Sequence, residues 1–353
     1  MCGRTPGLIL IGALGLLASC SLRTVMIDPR SAGTGRYSTA PSGEGWAQWP
    51  PSFMVAVMTH AQYEVTHYHH KVEDGQIAPD STSPTGFELL PHPRGTILER
   101  RSENIRGTGM VLRRDGNDCL ILTCLHVVEF PPIARTEIST NLTSTGRLVI
   151  GIGQRKAQQT LIGRPGQGQV AAYVVAYSEH DDLAILRANV SVLGPFLTPI
   201  PYELGQGSAI QPGDGLYVLG APRGSFQVSW GAATPSDGGT FVIGTATPPG
   251  FSGGAALATV RDTGTFELVG IVTGTGGQRV KVWGYEDSVL PGSTLDEIDA
   301  KDVVAQDFKN FDYGITYCAT AERVRALLDQ AGVRIQRLLE LEIRRENPAT
   351  TLE

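Results

Sequence analysis

Apolar positions along this chain fall in short β-rich runs separated by turn formers, and helical spacing is scarce before residue 320. Runs that fit half-buried strands lie at 109–112, 120–123, 148–152, 170–177 and 183–186. A second set lies at 215–219, 240–243, 254–258, 267–272 and 313–317, after a connector at 195–212. Turn formers punctuate both sets, with 43 Gly and 22 Pro among 353 residues, so the pattern predicts an all-β chain. Two successive strand-rich halves of about 90 residues predict two packed antiparallel β-barrels. Val324, Leu327, Leu328 and Ala331 then recur at helical spacing, continued by Ile335, Leu338 and Leu339, which predicts a C-terminal helix from about residue 320.

Upstream of residue 95 the pattern is thin. Residues 53–58 fit one isolated strand, 60–95 are polar and Pro-containing, and 32–45 (AGTGRYSTAPSGEG) read as a flexible tether. At the start, Arg4 precedes an apolar run at 8–18, far short of the ~20 residues that span a bilayer. The run suits a signal-peptide core. It ends in Leu17-Ala18-Ser19-Cys20, which resembles the bacterial lipobox. That resemblance implies removal of residues 1–19, lipidation at Cys20 and tethering to the bacterial envelope. Ser21 after the cysteine resembles the outer-membrane sorting pattern.

Charge narrows the function classes. A formal net charge of −6 disfavours nucleic acid as a partner, since phosphate binding needs a basic surface. Cysteine usage does not indicate a disulfide scaffold. Besides Cys20, the mature chain holds Cys119, Cys124 and Cys318, and three thiols cannot all pair. Cys119 and Cys124 would stand ~16 Å apart on one strand, so free, mostly buried thiols are expected. Five of the seven histidines fall between His60 and His92, including His67, His69 and His70. His67 and His69 would share one strand face, but no further ligand sits at a recognisable spacing, so no metal and no cofactor is assigned.

Three segments carry candidate chemistry. Acyl transfer by serine needs a nucleophile, a base, an acid that orients the base, and amides that meet the oxyanion. Gly107-Thr108-Gly109-Met110-Val111, followed by Ile121-Leu122-Thr123-Cys124-Leu125-His126-Val127-Val128, resembles the "GTGFV … LTAAHVV" pattern of trypsin-like serine peptidases of the bacterial HtrA/Deg type. His180-Asp181-Asp182-Leu183-Ala184-Ile185 resembles that family's acid-bearing strand, and Pro248-Pro249-Gly250-Phe251-Ser252-Gly253-Gly254 its nucleophile loop. Tyr217 to Gly224 resembles the family's second-barrel "V-x-G-x-P-x-G" run.

The resemblance covers roughly residues 95–335 and implies the chymotrypsin fold, two six-stranded barrels with a C-terminal helix. It divides the chain into a signal peptide (1–19), a tether and extension (20–94), barrel one (about 95–195), barrel two (about 205–318), a helix from about 320, and a tail at 336–353. It implies a catalytic triad of His126, Asp182 and Ser252, with Asp181 as the alternative acid. The Gly250 and Ser252 amides would form the oxyanion hole. Ala246, Ile271, Thr273 and Gly274 would lie at the substrate groove. Together these imply a serine endopeptidase acting on envelope proteins or peptides, with an inactive peptidase-fold binding module or chaperone as the alternative.

Some positions depart from the pattern. Leu125 is bulkier than the usual small residue and is expected to crowd the site. Phe251 replaces the aspartate through which digestive relatives pair with a new N-terminus, so that activation switch is not expected. Ala246 replaces the acid that selects Lys or Arg. Too few residues follow Ile335 for the PDZ domain of HtrA proteins. Residues 274–312 read as an insertion between two strands normally joined by a short loop, with Val280–Trp283 adding a strand inside it.

Overall fold

The computed structural model describes residues 35–39, 51–91, 96–193, 197–236, 239–285 and 303–332. The expectations for the signal peptide, Cys20, His92 and the tail fall outside these residues. The first half of the chain supplies β1 (Met54–Tyr68), β2 (Thr96–Asp115), β3 (Asp118–Cys124), α1 (Leu125–Val128), β4 (Ile133–Ser139), β5 (Arg147–Gly163), β6 (Gln169–Ser178) and β7 (Leu183–Asn189). The second half supplies β8 (Glu203–Leu204), β9 (Gly215–Gly220), β10 (Gln227–Ser236), β11 (Thr240–Gly244), β12 (Ala255–Thr259), β13 (Phe266–Tyr285), β14 (Val303–Thr320) and α2 (Ala321–Gln330).

Each half closes on itself. The first sheet runs β1-β2-β3-β7-β6-β5-β4, and β1 also pairs with β5, so six strands form a ring with β4 outside it. The second runs β12-β9-β10-β11-β14-β13-β8, and β12 also pairs with β13, closing another six-stranded ring. Closure removes exposed edges and gives each barrel an interior for alternate side chains. Phe241, Ile243, Val218, Val269 and Val272 fill the second barrel. A larger cluster fills the first barrel and continues across its boundary with the second, through Leu219, Leu257, Phe266, Leu268 and Ile271. That is why β12 is buried at every position: one face looks into its own barrel and the other onto its neighbour. Val324, Leu327 and Leu328 bury the predicted helical stripe of α2 in that shared cluster.

The N-terminal third departs from expectation. The first barrel starts at Met54, not near residue 95, because β1 is a 15-residue wall bonded to both β2 and β5. Its inward positions include Thr59 and Ala61, which blur the apolar alternation; Thr59 is satisfied by the Thr160 hydroxyl at 3.0 Å. Part of the expected tether is also docked. Tyr37 is fully buried in the second barrel's core, and Arg36 pairs with Glu267 at 2.5 Å. The Tyr37 hydroxyl donates to Glu267 at 3.0 Å and accepts the Gln206 amide at 2.8 Å. Burial pushes its phenol pKa up to about 12.

The expected insertion is also organised differently. β13 and β14 run on past the barrel as one antiparallel ribbon, paired as far as Tyr285 with Val303. The run at 280–283 thus continues β13 instead of forming a separate strand. Register shifts between Val272 and Gly274 and between Thr275 and Gly276 mark where the ribbon leaves the barrel.

Candidate active site

His126 is presented by α1, a single turn at the end of β3 whose Val127 and Val128 are buried and fix its orientation. The β6–β7 turn brings Asp182 against it. The Asp182 carboxylate accepts the His126 Nδ1–H at 2.5 Å and the His126 backbone amide at 2.9 Å. The Asp182 carbonyl also accepts the Leu125 amide at 3.0 Å. A carboxylate only accepts, so the ring proton sits on Nδ1 and Nε2 is left as a base. Asp182 has φ +54°, a left-handed conformation that aspartate tolerates better than most residues. The pair remains accessible, with side chains 44% and 33% exposed.

Asp181 is engaged elsewhere. Its carboxylate accepts from Ser178 Oγ at 2.9 Å and pairs with Arg323 of α2 at 3.0 Å. Of the two acids, Asp182 is the one bonded to His126.

The loop at 248–254 approaches from the second barrel and is anchored mainly through its backbone. Thr108 donates its amide to the Ser252 carbonyl and its hydroxyl to the Gly250 carbonyl, both at 2.7 Å. The same hydroxyl accepts the Ala221 amide at 2.7 Å. Gly253 donates to the Val272 carbonyl at 2.8 Å, which also accepts the Cys124 thiol at 3.1 Å. Cys124 stands two residues before His126 and Gly253 one after Ser252, so a single carbonyl ties the His126 segment to the Ser252 loop. The two segments also converge over Gly107. A Cβ there would lie 2.6 Å from Val127 and 2.8 Å from the Ser252 carbonyl.

Glycine is required at several loop positions. Gly253 has φ +85°, and a Cβ on it would lie 2.1 Å from the Thr108 carbonyl and 2.5 Å from Thr123 Oγ1. Gly250 has φ +110°, with Pro222 Cα 2.7 Å from a would-be Cβ. Phe251, Gly253 and Gly254 donate their amides to backbone carbonyls. Among the described residues, the Gly250 and Ser252 amides have no partner.

The other sequence-predicted positions separate into three groups. Thr273 and Gly274 border a cavity of about 420 Å³ beside Asp182, shared with His180, Tyr317 and Arg323. Ile271 is fully buried in the core, because β13 is covered on both faces from Phe266 to Val272. Ala246 is exposed, is not among the residues lining that cavity, and accepts Ser229 Oγ on its carbonyl at 3.2 Å. Leu125 does not line it either. It lines a separate cavity of about 790 Å³ with Val174 and Leu327, so its bulk is accommodated away from Asp182. Phe251 is buried in the second barrel's core.

Cys119, Cys124 and Cys318 are free and buried, as expected. Burial holds the Cys124 thiol well above its ordinary pKa, with Asp182 adding to the effect, so it is a protonated donor here. Cys124, His126 and Asp182 bring potential ligand atoms within 4.8 Å of one another, but all three are engaged in the hydrogen bonds described above. Among the described residues, the histidines of this segment form no ligand cluster. β1 ends at Tyr68, so His67 and His69 do not share a strand face; His67 bonds Glu99 at 2.7 Å and His70 bonds Thr85 at 3.0 Å. Sequence reading passed over Thr108 and Arg323. A threonine between two glycines in an apolar strand was the available signal for the first.

Residues 107–271 match the family model described as trypsin-like peptidase domain. No curated protein sequence matches the chain. Among solved structures, the chain is similar to an HtrA-type protease, AlgW, with decapeptide, at 14% identity and a TM-score of 0.38, covering 77% of this chain and 64% of that one. A substituted form of AlgW with decapeptide gives 16% identity and a TM-score of 0.39, covering 78% and 64%. The chain thus spans less than two thirds of the length of those structures. The family match begins at Gly107, ends at Ile271 and contains His126, Asp182 and Ser252, so this span of the chain is similar to a trypsin-like peptidase domain.

Proposed function

We propose that the chain is a serine endopeptidase that cleaves proteins or peptides through an acyl-enzyme. The observation that carries this reading is the pair of hydrogen bonds from His126 to the Asp182 carboxylate. They set the tautomer that a general base needs. In the reaction, Ser252 Oγ attacks the scissile carbonyl while His126 Nε2 takes its proton. Asp182 stabilises the resulting imidazolium. The unpartnered Gly250 and Ser252 amides meet the oxyanion, a contribution of several kcal/mol in such sites (roughly 3–4). His126 then returns the proton to the leaving amine, and water, deprotonated by His126, releases the acyl group.

The substrate would run along Thr273 and Gly274 toward the cavity beside Asp182. The β13–β14 ribbon starts at the same edge and would extend that groove. With Ala246 in place of an acid, a Lys or Arg side chain before the scissile bond is disfavoured. With Phe251 buried, activity requires no newly cut N-terminus. The test is hydrolysis of an unfolded protein by the purified chain beginning at Ser21. Turnover by the wild type that vanishes in Ser252→Ala supports the reading; equal turnover by both overturns it.

The same proposal places the domain on the bacterial envelope, at the outer membrane, through a lipidated Cys20. A metabolic fatty-acid probe should mark the wild type and spare Cys20→Ser. Release of an unmarked wild type in soluble form would contradict the anchor.

A further inference from the structure

We infer that Arg323 is a positioning residue: through Asp181 it latches the turn that presents Asp182 to His126. The inference rests on the peptidase reading and adds a role for α2, which belongs to the second half of the chain.

The turn at 179–182 has little to hold it by itself. Its internal contact, from the Asp182 amide to the Glu179 carbonyl, is long at 3.4 Å. Asp182 also sits at φ +54°, which costs on the order of 1 kcal/mol or more and persists only where surroundings impose it. Those surroundings are partly local, through Ser178, and otherwise tertiary. On one side, His126 and Leu125 grip Asp182. On the other, the neighbouring Asp181 is fixed by Ser178 Oγ at 2.9 Å and Arg323 Nη1 at 3.0 Å. The Asp181 side chain is only 14% exposed, so this pair is screened less than a surface ion pair.

Arg323 is itself well placed to act as a strut. The helix behind it is seated by Val324, Leu327 and Leu328 in the shared core. Gly239 provides its passage, since a Cβ there would lie 2.5 Å from Arg323 Nε. Glu322, on the same helix turn, is bonded to Ser208 at 2.8 Å and faces the interbarrel connector. Arg325 of the same helix donates to the Leu204 carbonyl at 3.2 Å, so among these described attachments only Arg323 reaches the turn at 179–182. A shift of the second barrel against the first would be transmitted through Arg323 to the acid.

The experiment compares Arg323→Gln, Arg323→Lys and Glu322→Gln with the wild-type chain. It measures the rate of Ser252 labelling by a fluorophosphonate across pH, with melting temperature alongside. The titratable and charged groups on the flanking elements are Asp182, Asp181, His180 and Glu179 on the turn, Cys124 and Glu129 around α1, and Arg323. Loosening Asp182 weakens the imidazolium's partner, so the acidic limb of the profile moves to lower pH. Loss of the Arg323 charge alone would move it to higher pH. Arg323→Gln should label about 5- to 10-fold more slowly with the limb displaced downward. Arg323→Lys should recover most of the rate, and Glu322→Gln should leave rate and limb unchanged.

An unchanged or upward-shifted limb in Arg323→Gln overturns the latch, as does an equal effect from Glu322→Gln. The downfield proton resonance of His126 Nδ1–H gives a readout independent of hydrolysis. If the wild type never labels, the peptidase reading fails. The latch still stands or falls on whether that resonance weakens in Arg323→Gln.

Discussion

On the first barrel, the proposed base and acid are held by side-chain hydrogen bonds: His126 to Asp182, and Asp181 to Ser178 and Arg323. On the second, the loop at 248–254 is held by backbone bonds and by space that admits no Cβ, with Gly253 and Gly254 approaching carbonyls within about 2 Å of where one would stand. The half that carries His126 and Asp182 is thus held by polar side chains, and the half that carries Ser252 is a close-packed backbone mould. Thr108 and the Val272 carbonyl join the two. Substitutions should therefore fail differently in each half: by lost charge and orientation in the first, by lost fit in the second.

The largest expected effect is at the nucleophile itself. Ser252→Ala should lower kcat/KM by at least about 10⁴-fold with the melting temperature unchanged, because the proposed role of the hydroxyl is chemical. Next, Asp182→Asn should cost about 10³- to 10⁴-fold, by disturbing the tautomer, whereas Asp181→Asn should cost about tenfold or less. Parallel kinetics on the two variants check this, and a reversed order would move the acid by one residue. Gly253→Ala should cost on the order of 10²-fold and also lower the melting temperature, since its Cβ would collide with Thr108. An active, equally stable Gly253→Ala would erase the contrast between the halves.

The smallest effect lies away from both. Tyr37→Phe should destabilise the fold by about 1–2 kcal/mol without changing kcat/KM. The Tyr37 phenol titrates near 12 when folded and near 10 when unfolded, so its contribution is present below pH 10 and lost as pH rises toward 12. The stability gap between wild type and Tyr37→Phe should narrow over that window in pH-dependent denaturant melts.

The contrast also explains what could be read in advance. The nucleophile loop was legible because its geometry admits glycine alone at Gly250 and Gly253, which writes the mould into the sequence. The second-barrel strands were legible where a short apolar run is buried almost throughout, as in β9 and β12. β1 was not, because its inward positions include Thr59 and Ala61, a satisfied hydroxyl and a small side chain where apolar bulk was sought. Tyr37 was hidden by its glycine- and serine-rich surroundings, since a docked segment of five described residues has too short a pattern to register. Arg323 was illegible for another reason: its partner lies 142 positions away, and nothing local marks a charged helix residue as a strut.

The central claim is that His126, held by Asp182, activates Ser252. Its most direct test is to react the purified chain with a fluorophosphonate and map the adduct by mass spectrometry. The account predicts one adduct, on Ser252, forming at neutral pH and lost in both His126→Ala and Ser252→Ala. No adduct on the folded wild type, or one that forms equally well in His126→Ala, would contradict it.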